Sequence, residues 1–392
     1  MKITKTHRAF HLVIKRELRR LVSRPLYLFC MLIAPLFCLF FFTSLMDAGL
    51  PTNLPIGVVD LDQSTQSRSL IRNLDVQPQT QVVAVYSSFS EAREEVQKGT
   101  IYGFYHIPKS FAKKAQAQKQ PKLSFYINNS YLIAGSLLFK DLKKMGELTA
   151  GSASRTVLYA KGATEKEALG FLQPIVIDTH PLNNPTMNYS VYLSNTLVPG
   201  IMMLMILMTT VFSIGVEIKE HTAHSWLRIG NRSIHLSLLG KLIPQTIIFM
   251  IFGLFYNYYF YVHLNFPCIN GIPTMLMATL FLILASQALG VAMIGAFPSL
   301  RLGLSFASLW GVLSISMSGF SFPVMAMHPV LQSTSNLFPL RHYFSIYTDQ
   351  ALNGFPLSSS LSSFFALFLF MLLPFLVFKR LKKALLYGPY IP

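Results

Sequence analysis

The chain has 392 residues, 52% of them hydrophobic and only 12% charged, against about 25% charged in ordinary soluble domains, which excludes a water-soluble globular protein. Its net charge of +17 first suggests nucleic acid, but residues 47–189 carry 15 Lys and Arg against 12 Asp and Glu, and the rest of the surplus flanks long apolar runs. That distribution excludes a nucleic-acid partner and points to a membrane.

In chain order, Phe10, Val13, Ile14, Leu18, Leu21 and Val22 share one helical face, with Lys15, Arg16, Arg19 and Arg20 on the other. This pattern predicts an interfacial helix over residues 1–25 lying on the inner leaflet, its basic face toward anionic lipid. Arg24-Pro25 breaks it before the first apolar run. Crossing ~30 Å of hydrocarbon takes about 20 apolar residues. Leu26–Met46, Tyr192–Val216, Leu236–Val262, Pro273–Phe297, Leu302–Phe322 and Leu361–Phe378 meet that length. The first run is too long for the apolar part of a signal peptide and no small-x-small site closes it, so it reads as an uncleaved anchor.

Basic residues choose the orientation. Met1–Pro25 holds eight, Lys219–Lys241 four and Lys379–Lys383 four, whereas His263–Ile272 holds none and Ser321–Ser360 only Arg341. The asymmetry places both termini in the cytosol after six crossings, with the segment after the first span outside.

That segment, 47–190, reads as a small α/β domain. Strands are expected at Leu54–Val59, Gln81–Tyr86, Ile101–Ile107, Leu123–Ile127 and Gln173–Asp178. Helices are expected at Ser64–Asn73, from Ser88 to Lys98, at Lys109–Ala117 and over Tyr131–Lys161; Ser88 and Glu91 have the spacing of a capping box. Residues 191–380 hold the other five spans, and 381–392 form a cytosolic tail. Within them, Glu217–Arg228 alternates charge with apolar Ile218, Trp226 and Leu227, which suits either a plain inner loop or a face offered to a cytosolic partner. Residues 320–358 contain Pro323, Pro329, Pro339 and Pro356 among apolar residues, a stretch too broken to cross and too apolar for a water-exposed loop. Short half-helices that dip in and return fit it.

Dedicated chemistry is sparse. No phosphate-loop pattern G-x-x-x-x-G-K-[ST] occurs, nor G-x-S-x-G or H-E-x-x-H. His221 and His224 read as part of a solvated turn, Met202, Met203, Met205 and Met208 as span filling, and Cys30, Cys38 and Cys268 as small apolar residues. The aromatic run Phe252, Phe255, Tyr256, Tyr258, Tyr259, Phe260 and Tyr261 reads as an interfacial belt, or as contacts for a bulky apolar cargo. No catalytic, metal or cofactor residue is expected, and any energy comes from another polypeptide.

Several short motifs in a fixed order complete the picture. They are Lys15-Arg16-Glu17-Leu18; Val58-Val59-Asp60-Leu61-Asp62; Gly99-Thr100-Ile101-Tyr102-Gly103; Ile107-Pro108-Lys109-Ser110-Phe111; Glu217-Ile218-Lys219-Glu220-x-Thr222 with Gly240-Lys241-x-x-Pro244; Gly319-Phe320-Ser321-Phe322-Pro323; and Pro339-Leu340-Arg341-His342-Tyr343. Through them the chain resembles a membrane (permease) subunit of the ABC type-2 exporter family, in the subgroup with a large extracytoplasmic domain after the first span. It departs from the family pattern at His221, His328 and Asp349.

The resemblance implies a polytopic α-helical membrane protein of six spans, in the inner membrane of a bacterium. It also implies a second permease copy or sister permease, a separate cytosolic ABC ATPase that binds the ATP and Mg, contact with membrane lipid, and in some members a periplasmic adaptor protein. Residues 217–235 are then the ATPase-coupling segment, with Glu217, Lys219, Glu220, Thr222, Trp226 and Arg228, together with Glu17, as coupling residues. Pro323, His328, Pro329, Pro339 and Arg341 fall in a re-entrant gate. The expected function is ATP-driven export of an amphipathic, drug-like or lipid-like compound. The rival expectation is a membrane-anchored binding or sensor protein.

Overall fold

A computed structural model describes residues 2–387; Met1 and residues 388–392 of the expected tail lie outside the described residues. The chain divides into two compact units, Met1–Asp47 with Pro181–Pro392, and Ala48–His180.

The inserted unit is built on a four-stranded sheet of order β2-β1-β3-β4, with β1 Leu54–Asp60, β2 Thr80–Tyr86, β3 Gly103–Ile107 and β4 Ser124–Ile127. β1 runs parallel to both β2 and β3, and β4 closes the sheet antiparallel to β3. The helices of this lobe are α1 Thr65–Asp75, α2 Phe89–Lys98, α3 Phe111–Gln116, α4 Leu132–Ala160 and α5 Glu165–Leu172. Sequence accounts for the layering. β1 is apolar on both sides, as a central strand covered on both faces must be. One face buries Ile56, Val58, Leu70, Leu74, Tyr105, Leu138 and Leu142 beneath α1 and α4. The other buries Val59, Ile101 and Phe104 with Ala92 of α2. Gly57 is required where it stands, since a Cβ there would meet the Tyr86 ring at 2.5 Å.

Two expectations for the lobe need correction. Ser88 does cap α2, accepting from the Glu91 N–H at 3.2 Å, but the Glu91 carboxylate turns to Ser87; the reciprocal capping box is Thr164 with Glu167 at the start of α5. The expected strand Gln173–Asp178 does not form. Ile175, Val176 and Ile177 are 75–80% exposed in irregular backbone. β-branched residues favour a strand only where a pleated surface receives them, and here β4 already pairs with β3 while Pro174 withholds a ladder N–H.

Among the described residues of the other unit, six helices are long and apolar enough to cross a membrane: Pro25–Leu45, Tyr189–Lys219, Ile234–His263, Ile272–Ala296, Leu300–Met317 and Leu357–Tyr387. They follow the amphipathic helix Lys2–Ser23. The second and fourth are most enclosed, 67% and 72% buried over their most apolar windows, against 17–28% for the first, fifth and sixth, so the second and fourth form the centre of the bundle. Met202 and Met203 are buried there as packing residues. Pro35 sits inside the first span without breaking it, because the preceding turn, Phe29–Ile33, widens to a π-helix and absorbs the missing hydrogen bond. The fifth span stops at Met317, short of the expected Phe322, because Gly319 (φ +100°) turns the chain. Residues 320–358 break into a 3₁₀ turn Val324–Ala326 and helices Pro329–Ser335 and Pro339–Ile346, the last continuing as a π-helical turn Tyr347–Leu352. Proline opens each of the two α-helical pieces, where its missing N–H costs nothing.

The aromatic run at the end of the third span is not simply a belt. Phe252, Tyr256, Phe260 and Tyr261 turn into the bundle, while Phe255 and Tyr258 face out. The Tyr256 hydroxyl lies 2.7 Å from that of Thr279 and 3.1 Å from that of Tyr343, and the Tyr261 hydroxyl donates to Asn195 Oδ1 at 3.1 Å.

Candidate functional site

The densest chemistry lies where the amphipathic helix Lys2–Ser23 meets the end of the second span. Arg16 and Arg20 are one helical turn apart on one stripe of that helix, and Arg24, the extended residue that follows it, reaches the same side through Glu220. Beside them Val13, Glu17 and Leu21 form a fully buried stripe. The basic face is therefore not wholly turned to lipid, as its amphipathic pattern predicts. Leu18 and Val22, from the apolar side, stand exposed instead, at 47% and 87%.

Glu217 is the hub. Its carboxylate is fully buried. It accepts a forked pair from Arg16 Nη1 and Nη2 at 2.8 and 2.9 Å, a third bond from Arg20, one from Lys241 Nζ at 2.9 Å, and one from the Thr222 hydroxyl at 2.5 Å. Lys241, also fully buried, bonds Glu17 Oε2 at 2.8 Å and lies 4.7 Å from the centroid of the Trp226 ring. Arg16 closes the circuit to Glu17 at 2.7 Å. At the rim, Glu220 accepts from Arg20 at 3.0 Å and Arg24 at 2.7 Å. Burial works against the Arg16 charge, but its hydrogen bond and attraction to Glu217 outweigh that and hold its pKa above the ordinary arginine value.

Four segments thus converge: the amphipathic helix, the second span, the short helix Ala223–Ile229 and the third span. An isolated charge would not be retained in such a place. Here each is paired, and removing one partner of a buried pair typically costs about 3–5 kcal/mol. The forked Arg16–Glu217 geometry adds directional specificity that lysine would not supply. Ala223–Ile229 is thereby linked to the second span through Thr222 and Glu217, and to the third through Trp226 and Lys241.

The residues expected to form the coupling segment separate into two sets. Glu17, Glu217, Thr222 and Trp226 belong to the cluster, and Trp226 is fully buried, so its ring faces Lys241 and not an external partner. Ile218 and Leu227 are buried as well. Lys219, Glu220, His221, His224 and Arg228 are exposed, so the outward face of this segment is polar and basic, not apolar. His221 adopts φ 56° at the turn that reverses the chain.

The cluster contains four residues absent from the sequence-based set: Arg16, Arg20, Arg24 and Lys241. Their signal was present in the i, i+4, i+8 arginines and in a lone lysine inside the apolar start of a span, where an ionisable residue implies a partner.

The expected gate residues are less unified. Arg341 donates to Ser345 Oγ at 2.9 Å and packs beside Gly319, where a Cβ would lie 3.6 Å from its Nη1 and 3.1 Å from Val324. The turn that begins at Pro323 therefore adjoins Arg341. Pro339 is buried at the head of its helix, while His328 and Pro329 are exposed; the His328 ring accepts from the Val330 N–H at 3.4 Å and caps Pro329–Ser335.

Comparison with known families matches residues 25–378 to the family described as ABC-2 family transporter protein. Comparison with curated proteins finds no match.

Proposed function

The chain belongs to the ABC-2 transporter family, as a membrane component and not a catalytic subunit, and from that premise we propose that it is the permease subunit of an ATP-driven exporter. Its cargo is an amphipathic or hydrophobic compound, drug-like or lipid-like, moved across a bacterial cytoplasmic membrane. A separate cytosolic ABC ATPase, which binds ATP and Mg, docks against the polar face of residues 217–235. Two permeases, alike or sister chains, enclose the path, and residues 320–358 form its outer gate. The lobe 48–180 stands on the far side.

One observation carries the coupling part: the ionic cluster centred on Glu217, which ties two spans and the amphipathic helix to the short helix Ala223–Ile229. Buried and fully paired charges resist separation, so closure of an ATPase pair would move these four segments as one body.

The test reverses charge on the outward face and leaves the cluster intact. With Lys219→Glu and Arg228→Glu combined, membrane abundance should stay at the wild-type level. The copurified ATPase and the transport rate should each fall by about tenfold or more, as expected when charges at the edge of an interface are reversed. Wild-type copurification and transport would remove this face from the mechanism.

A further inference from the structure

The inserted lobe carries a groove that the coupling machinery does not use. It runs along the C-terminal half of α4, encloses about 690 Å³, and is floored by Gly146, Ala150, Ala153 and Val157 between walls that include Phe111 and Phe171. Pockets for small ligands span roughly 300–1,000 Å³ and are mostly apolar with a few polar anchors. Here small side chains at helical spacing leave a trench, and Lys161, at the C-terminal cap of α4, lines it.

Two independent features say what would fill it. The first is charge. Residues 109–172, which span the groove's lining, hold ten lysines and Arg155 against four acidic residues; Glu147 pairs with Lys143 and Glu165 with Arg155, and Asp141 is buried against the Gln79 amide, oriented with its nitrogen toward the carboxylate at 3.1 and 2.9 Å. Lys119 and Lys122 flank the lining residues Gln120 and Pro121. No ion pair among the described residues engages Lys119, Lys122 or Lys161. A second cavity, about 360 Å³ and lined by Gln66, Asn73, Gln77 and Ser152, has no lysine in its walls. The second feature is unburied apolar surface. Phe171, in the groove wall, is 77% exposed, and Ile175, Val176 and Ile177 just beyond it are 75–80% exposed. Apolar side chains left in water at about 25 cal/mol per Å² gain by closing over an alkyl chain.

We propose that this groove binds an anionic single-chain amphiphile of the long-chain fatty acid type, its chain along Ala150 and Val157 and its head at Lys161, with Phe171–Ile177 closing over it. The proposal deepens the export reading by naming a ligand class, and rests on that reading only in treating the ligand as cargo. Binding is measured without ATP or transport, so failure of either leaves the other standing.

The experiment uses the full chain in nanodiscs of zwitterionic phosphatidylcholine. The probes are a diazirine-bearing palmitic acid and the matching diazirine-bearing hexadecanol, with crosslinked peptides identified by mass spectrometry. The acid should label peptides from α4 and α5 more strongly than the alcohol does. Ala150→Trp, at an exposed position that leaves the lobe's core untouched, should cut that label by about fivefold, and Lys161→Glu should bring the acid down to the level of the alcohol. Label confined to the spans, label undiminished by Ala150→Trp, or equal labelling of the wild-type chain by acid and alcohol would overturn the proposal. So would efficient disulfide formation between copies through Phe171→Cys in a background lacking Cys30, Cys38 and Cys268, which would assign the groove to a contact between copies.

Discussion

Lys241 decides more than any other single residue. It sits without exposure between Glu17 and Glu217 and under the Trp226 ring. Replacing it with Met keeps the volume but leaves two buried carboxylates short of a cation. Lys241→Met should therefore destabilise the chain by about 3–5 kcal/mol. Glu17→Gln in the same chain should return part of that loss, because the unmatched charge goes with it. Melting temperatures of the four purified proteins of this double-mutant cycle check the claim, and simple additivity would show that Glu17 and Lys241 are not coupled. Glu217 was legible from sequence because it opens a compact charged motif. Arg16 and Arg20 were legible as basic residues but assigned to lipid, since an amphipathic pattern reports which residues share a face and not what the face meets.

At the level of elements, the amphipathic helix is held by shape as well as charge. A Cβ on Gly240 would lie 2.8 Å from Val13 Cγ1, so the glycine sets how closely the helix approaches the third span and thereby brings Glu17 within reach of Lys241. Gly240→Ala should cost about 1–3 kcal/mol through overpacking and weaken the Glu17–Lys241 bond, while Val13→Ala added to it should recover much of the loss. Thermal unfolding of the single and double variants tests this; a Gly240→Ala protein as stable as wild type would show that the helix is free to shift. The first four spans were legible to within a few residues, because about 20 consecutive apolar residues admit little else, whereas the sixth helix runs on to Tyr387, nine residues past the expected Phe378, into the basic segment expected as tail. The strand expected at Gln173–Asp178 was not, because whether an apolar segment finds a sheet edge is settled by segments far away in sequence.

For the whole molecule, a lobe with its own cores is inserted between the first and second of six spans. The second span separates that lobe in sequence from Lys219, and the proposed topology assigns the two to opposite sides of a membrane. In a chain lacking its native cysteines, Val76→Cys should react with a membrane-impermeant maleimide on intact cells, and Lys219→Cys only after permeabilisation; the reverse pattern would invert the topology. The sequence by itself determined the six apolar runs, the α/β character of the insertion and the family resemblance, because hydrophobic length, strand–helix alternation and ordered short motifs are local properties of the chain. Only the tertiary structure decided that Arg16 and Arg20 close over the buried Glu17, Glu217 and Lys241 in one cluster, that Trp226 faces inward, and that a lysine-edged groove opens along α4. These depend on which faces of distant helices meet: the spacing of the arginines marks a shared face, but pairing between residues some 200 positions apart, as for Arg16 and Glu217 with a separation of 201, leaves no trace in either segment of which partner that face meets.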